Sequence, residues 1–139
     1  MSAAIPRRAT TVLHPLHGVL LAFPVALFPG ALAADVTYLN SSEMLWSNFA
    51  AWLIAGGVFF TGLTLAWALL RLAMRRPGSR WLAVILAILF AVGLVNAFQH
   101  SHDGWSSVGT TGLALSIIST LLALIAGWIG YTFPRELRA

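Results

Sequence analysis

The sequence contains no cysteine and no lysine, and only four acidic residues among 139. Without cysteine there is no disulfide, no iron–sulfur cluster, no thiolate zinc site and no c-type haem attachment. Charged residues make up 9% of the chain, against roughly 25% in a soluble domain. So little charge cannot cover the surface of a water-soluble fold. The formal net charge of +4 comes from eight arginines set against the few acids. Those arginines flank apolar stretches instead of lining one face, which suits anchoring at a membrane surface and gives no nucleic-acid footprint.

Hydrophobic residues account for 59% of the chain, with six tryptophans. They fall into four long segments, at about 14–35, 45–74, 81–100 and 107–133. A hydrocarbon core of roughly 30 Å takes about 20 helical residues to cross, and each segment is long enough. Helices are expected because lipid offers no partner to an unpaired backbone group. The connections "DVTYLNSSEM", "RRPGSR" and "HSHDGWSS" are short, so consecutive helices run antiparallel. The expected fold is an all-α integral membrane protein, four transmembrane helices in an up-down-up-down bundle forming one domain over 1–139.

Arginine placement sets an expected orientation. Arg7 and Arg8 precede the first span, Arg71, Arg75, Arg76 and Arg80 surround the middle loop, and Arg135 and Arg138 follow the last span. The other two loops carry Asp35, Glu43 and Asp103 instead. The positive-inside rule puts both termini and the middle loop in the cytoplasm, and the histidine-rich loop outside. "RR", an apolar stretch and "ALA" before Asp35 also have the outline of a cleaved secretory signal. Pro24 and Pro29 within the stretch fit a retained, packed helix better, so the first span is expected to stay attached.

The chain has only four histidines, in two clusters. His100, His102 and Asp103 stand in "HSHDGW", at the depth where Asp35 closes the first span. Imidazole and carboxylate form a transition-metal donor set, and neutral histidine is a common haem ligand. His100 is the leading ligand here, with Asp35 able to orient its ring as an outer partner or to join it and Asp103 on a metal. An acid near a membrane boundary is costly unless paired, so an Asp35–histidine pair with no catalysis is the structural alternative. Asp103 would then cap the last helix. His14 and His17, three residues apart with Pro15 in the first turn, sit at the other end and could clamp one ion from the same side. About 30 Å of helix rise separates the two clusters, so one haem cannot be bridged by both. Ser101, Ser106 and Ser107 near the histidines lack any nucleophile spacing, and nothing suggests a hydrolase. Gly56, Gly57, Gly62, Gly127 and Gly130 read as close helix contacts, and Trp46, Trp81 and Trp105 as an interfacial belt.

"HPLHGVLLAFPVALFPGALAAD" resembles the opening of bacterial membrane proteins grouped as domain of unknown function 2231. The resembling positions are His14-Pro15, Phe23-Pro24 and the span-closing Asp35. "HSHDGWSSVGTTGLALS" followed by "GWIG" is similar to that family's last two spans, with His102 and Gly104 as departures from a common His-Ser-Arg-Asp-Ala-Trp form. The resemblance runs from His14 to Gly130. It implies a companion of membrane-attached sugar or aldehyde dehydrogenases, hence anchoring or electron transfer.

The expected role is therefore a bacterial inner-membrane subunit with no catalysis of its own, serving electron transfer through a haem b or quinone site. Its candidate cofactor residues are His14, His17, His100 and His102; its candidate metal residues are His100, Asp35 and Asp103. Its partner would be a larger membrane or periplasmic redox protein, or further copies of itself. The alternatives are a non-enzymatic anchor or assembly subunit and an outward-facing metal-binding protein.

Overall fold

A computed structural model describes residues 14–76, 79–101 and 108–132. The described residues form α1 (Pro15–Ser41), α2 (Met44–Ala73), α3 (Arg80–Ser101) and α4 (Thr110–Thr132), and no strand. The shortest, α3, has 22 residues, or about 33 Å at 1.5 Å per residue. All four are long and apolar enough to cross a membrane.

Local chemistry sets the ends. Proline is tolerated in the first turn of α1, where its missing N–H would have had no partner, and His14 Nδ1 accepts the Leu16 N–H at 3.3 Å. The far end of α1 differs from expectation: the helix does not stop near Asp35 but continues to Ser41. Thr37, Asn40 and Ser41 donate side-chain hydrogen bonds to the carbonyls four residues back, at 2.8, 2.9 and 2.7 Å. The polar run that reads as a loop thus solvates its own helical backbone. Ser42, left-handed at φ 57°, ends the helix, and its N–H reaches Tyr38 O at 2.7 Å. Only Ser42 and Glu43 separate α1 from α2. At the other end of α2, Arg75 takes φ 53° where glycine is usual, and the Arg76 N–H reaches back to Arg71 O at 2.9 Å. That bond closes a Schellman-type end just before Pro77.

Each helix packs against its sequence neighbours, and α1 also closes on α4. The diagonal backbones, α1 with α3 and α2 with α4, stay apart among the described residues. Antiparallel register is fixed by side chains: Phe23 stacks on Phe60 at 3.8 Å, and the Tyr131 hydroxyl donates to Gly18 O at 2.8 Å. The centre belongs to Phe28, whose ring lies between Gly57 of α2 and Gly93 of α3. A Cβ on either glycine would come within 3.0 Å of the ring. Ala31, Ile54, Val58, Leu89 and Ala123 complete that layer. Toward the α1 N-terminus a second layer forms from Leu21, Ala68, Leu82, Ala83, Leu86 and Ala126.

The outside is greasier than a water-soluble fold permits. Trp52, Phe59, Trp81, Phe98 and Trp128 all point outward. Large apolar groups face lipid, while small and polar residues fill the interior, the arrangement expected where close contact and hydrogen bonding hold helices together.

Candidate functional site

The polar interior is concentrated at the end of the bundle where α1 and α3 finish. Asp35 is 0% exposed and the His100 side chain 1%, although they come from helices on opposite corners. His100 Nε2 lies 3.0 Å from Asp35 Oδ1. The other carboxylate oxygen accepts from the Ser116 hydroxyl of α4 at 2.5 Å. Ser116 Oγ in turn accepts from Asn96 Nδ2 at 3.1 Å, and Asn96 lies one turn before His100 on α3. The remaining ring nitrogen, His100 Nδ1, faces the Asn96 carbonyl at 2.9 Å.

This geometry counts protons. A backbone carbonyl only accepts, so Nδ1 carries a hydrogen. A single further proton then lies between Nε2 and Oδ1, as imidazolium with carboxylate or as imidazole with carboxylic acid. Either way the pair is electrically neutral as a unit. That answers the cost of an acid inside the bundle: the charge is never buried alone, and each oxygen of Asp35 is hydrogen-bonded. Between them the residues tie α1, α3 and α4 together.

Three neighbouring polar atoms are not so served. Asn96 Oδ1, Ser119 Oγ and Thr120 Oγ1 are buried with no hydrogen-bond partner. Ser119 and Thr120 follow Ser116 by one helical turn, so a polar surface continues inward from the cluster.

The pairing of Asp35 with His100 agrees with their expected common depth. Ser116 and Asn96 were not among the sequence candidates. The only available signal was a polar residue within an apolar span, Asn96 in "LVNAF" and Ser116 in "LALSII". His102 and Asp103 lie outside the described residues. Among the described residues no three of His, Asp and Glu gather as a metal donor set. A haem iron at His100 would have to displace one of its two ring hydrogen bonds.

His14 and His17 stand at the opposite end. His17 lies on α1 about 27 Å of helix rise from Asp35, so one cofactor does not reach both clusters. His14 is not on the helix face with His17 but at the N-cap, extended at φ −59° and ψ 130°. Its ring is drawn over Trp67 of α2, with centroids 5.3 Å apart. His17 is buried, and its Nδ1 has no partner.

Residues 13–137 match the model of a family described as a predicted membrane protein family, DUF2231. The chain belongs to that family. The match spans all four helices of this DUF2231 protein, together with both histidine clusters. The chain matches no curated protein and no solved structure.

Proposed function

We propose that this DUF2231 protein is a small electron-transfer subunit of the bacterial inner membrane, serving a quinone at the end of the bundle where Asp35 and His100 meet. The observation supporting this reading is the buried carboxylate–imidazole pair, with His100 Nε2 3.0 Å from Asp35 Oδ1. Quinol oxidation releases protons together with electrons, and a neutral pair with a proton between Nε2 and Oδ1 is suited to exchange one. Quinone is favoured over haem b because both His100 nitrogens are already engaged. The electrons would pass between the quinone pool and a larger membrane or periplasmic dehydrogenase or respiratory complex, and this chain would catalyse nothing alone. Arg71, Arg75, Arg76 and Arg80 gather at the opposite end, so the proposed orientation has that end and both termini in the cytoplasm.

The test is the purified protein in mild detergent, with solvent extraction for quinone and absorption spectra of oxidised and reduced samples. The expected result is co-purifying quinone that falls sharply in His100→Ala. A haem band lost in that variant would replace quinone with haem b. If neither cofactor is retained and the variant still supports its partner enzyme, the electron-transfer reading is wrong.

A second reading, a non-enzymatic anchor or assembly subunit, is favoured by the completeness of the Asp35 hydrogen bonds. On that reading the cluster does no more than lock three helices. A metal centre on His100, Asp35 and Asp103 has less support, because His100 and Asp35 would first have to release their present partners.

A further inference from the structure

The end of the bundle opposite the Asp35–His100 cluster carries buried polar atoms that have no hydrogen-bond partner among the described residues. His17 is 5% exposed and its Nδ1 makes no hydrogen bond. The indole N–H of Trp67, which can only donate, is buried without an acceptor. The contacts Phe28–Gly57, Phe23–Phe60 and His14–Trp67 fix an antiparallel register that places Trp67 level with His17 to within a turn. Both therefore sit beside the N-terminus of the 27-residue α1, where the helix dipole presents positive charge. Arg71 follows Trp67 by one turn and lies within electrostatic reach of His17. No acidic residue stands in the first turn of α1.

From these observations we infer that the α1 N-terminus, His17 and Trp67 form a seat for a phosphate oxyanion, filled by the headgroup of an anionic phospholipid. A phosphate oxygen supplies the acceptor that the Trp67 N–H lacks, and its charge complements the helix N-terminus. Basic pockets between membrane helices bind anionic headgroups on the same grounds. His14 is exposed and leans on the Trp67 ring, so it is the side chain that moves aside to admit the headgroup. The inference does not depend on the quinone reading, because the two sites lie at opposite ends of the bundle.

The test uses the full chain in detergent, delipidated and then titrated with phosphatidylglycerol, phosphatidylcholine and inorganic phosphate, with bound lipid read by native mass spectrometry. Phosphatidylglycerol should bind more tightly than phosphatidylcholine, and Trp67→Phe should weaken it by about tenfold, the effect of losing a hydrogen bond to a charged group. His17→Ala should weaken it similarly, while Trp128→Phe on the lipid-facing side should not. Trp67→Phe keeps the ring bulk, so it decides the matter if His17→Ala fails to fold. Displacement of phosphatidylglycerol by millimolar inorganic phosphate, with the same loss in Trp67→Phe, would keep the oxyanion seat and make free phosphate its source. Unchanged phosphatidylglycerol binding in a folded Trp67→Phe protein would overturn the inference.

Discussion

The two ends of this bundle hold their buried histidines in different ways. At the Asp35 end, both carboxylate oxygens and both His100 nitrogens have partners within the protein. At the His17 end, a ring nitrogen and an indole N–H have none. The Asp35–His100 pair is satisfied and holds α1, α3 and α4 in register, while Asn96 Oδ1, Ser119 Oγ and Thr120 Oγ1 beside it have no partner. At the second end the buried histidine itself is left without a partner. In lipid a buried histidine without a partner is costly, and that difference is the basis for proposing His17 and Trp67 as residues that receive a ligand.

The largest effect should come from breaking the closed end. Asp35→Ala strips His100 of its carboxylate and Ser116 of its acceptor, and it should cost about 3–5 kcal/mol, as removing one partner of a buried pair does. Thermal unfolding in detergent, followed by helical circular dichroism, reads this loss. Asp35→Asn, which keeps the shape and one acceptor, should cost clearly less. Equal losses would mean that the carboxylate itself, and neither its shape nor a single acceptor, holds this end together.

Next comes the centre, which separates the two ends. Gly93→Ala drives a methyl within 3.0 Å of both the Phe28 ring and Val58. Overpacking of this kind costs about 1–3 kcal/mol. The same thermal experiment checks it, and a paired Phe28→Leu change should recover part of the loss by opening space.

Ser116→Ala sharpens the comparison. It removes one donor to Asp35 and should cost about 1–3 kcal/mol, as expected for a hydrogen bond to a charged group. At the other end, Trp67→Phe should change stability by no more than about 0.5 kcal/mol in delipidated protein, because the N–H it deletes has no partner to lose. A large loss from Trp67→Phe under those conditions would erase the contrast between the ends.

The spans were legible in the sequence because length and apolar content alone decide whether a segment can cross lipid. The Asp35–His100 contact was legible too, since both residues were expected at one depth, although α1 runs past Asp35 to Ser41. Asn96 and Ser116 were not. In a soluble bundle an amphipathic stripe reveals which face turns inward, but here lipid-facing and core-facing sides are both apolar and the stripe is missing. The rotation of α3 and α4 is set by small contacts such as Gly93 on Phe28 and Leu21 on Gly130, which no periodicity announces. The overlong α1 was hidden for a related reason: Thr37, Asn40 and Ser41 look like loop residues until their side chains are seen bonded to the helix behind them.

The proton count at His100 is the claim on which the closed end rests, and nitrogen-15 solid-state NMR of histidine-labelled protein in bilayers tests it directly. The account predicts one histidine with a protonated Nδ1 and a strongly hydrogen-bonded Nε2. That signal should vanish in His100→Gln, and its Nε2 shift should move markedly in Asp35→Asn. A His100 signal with a bare Nδ1, unmoved by Asp35→Asn, would contradict it.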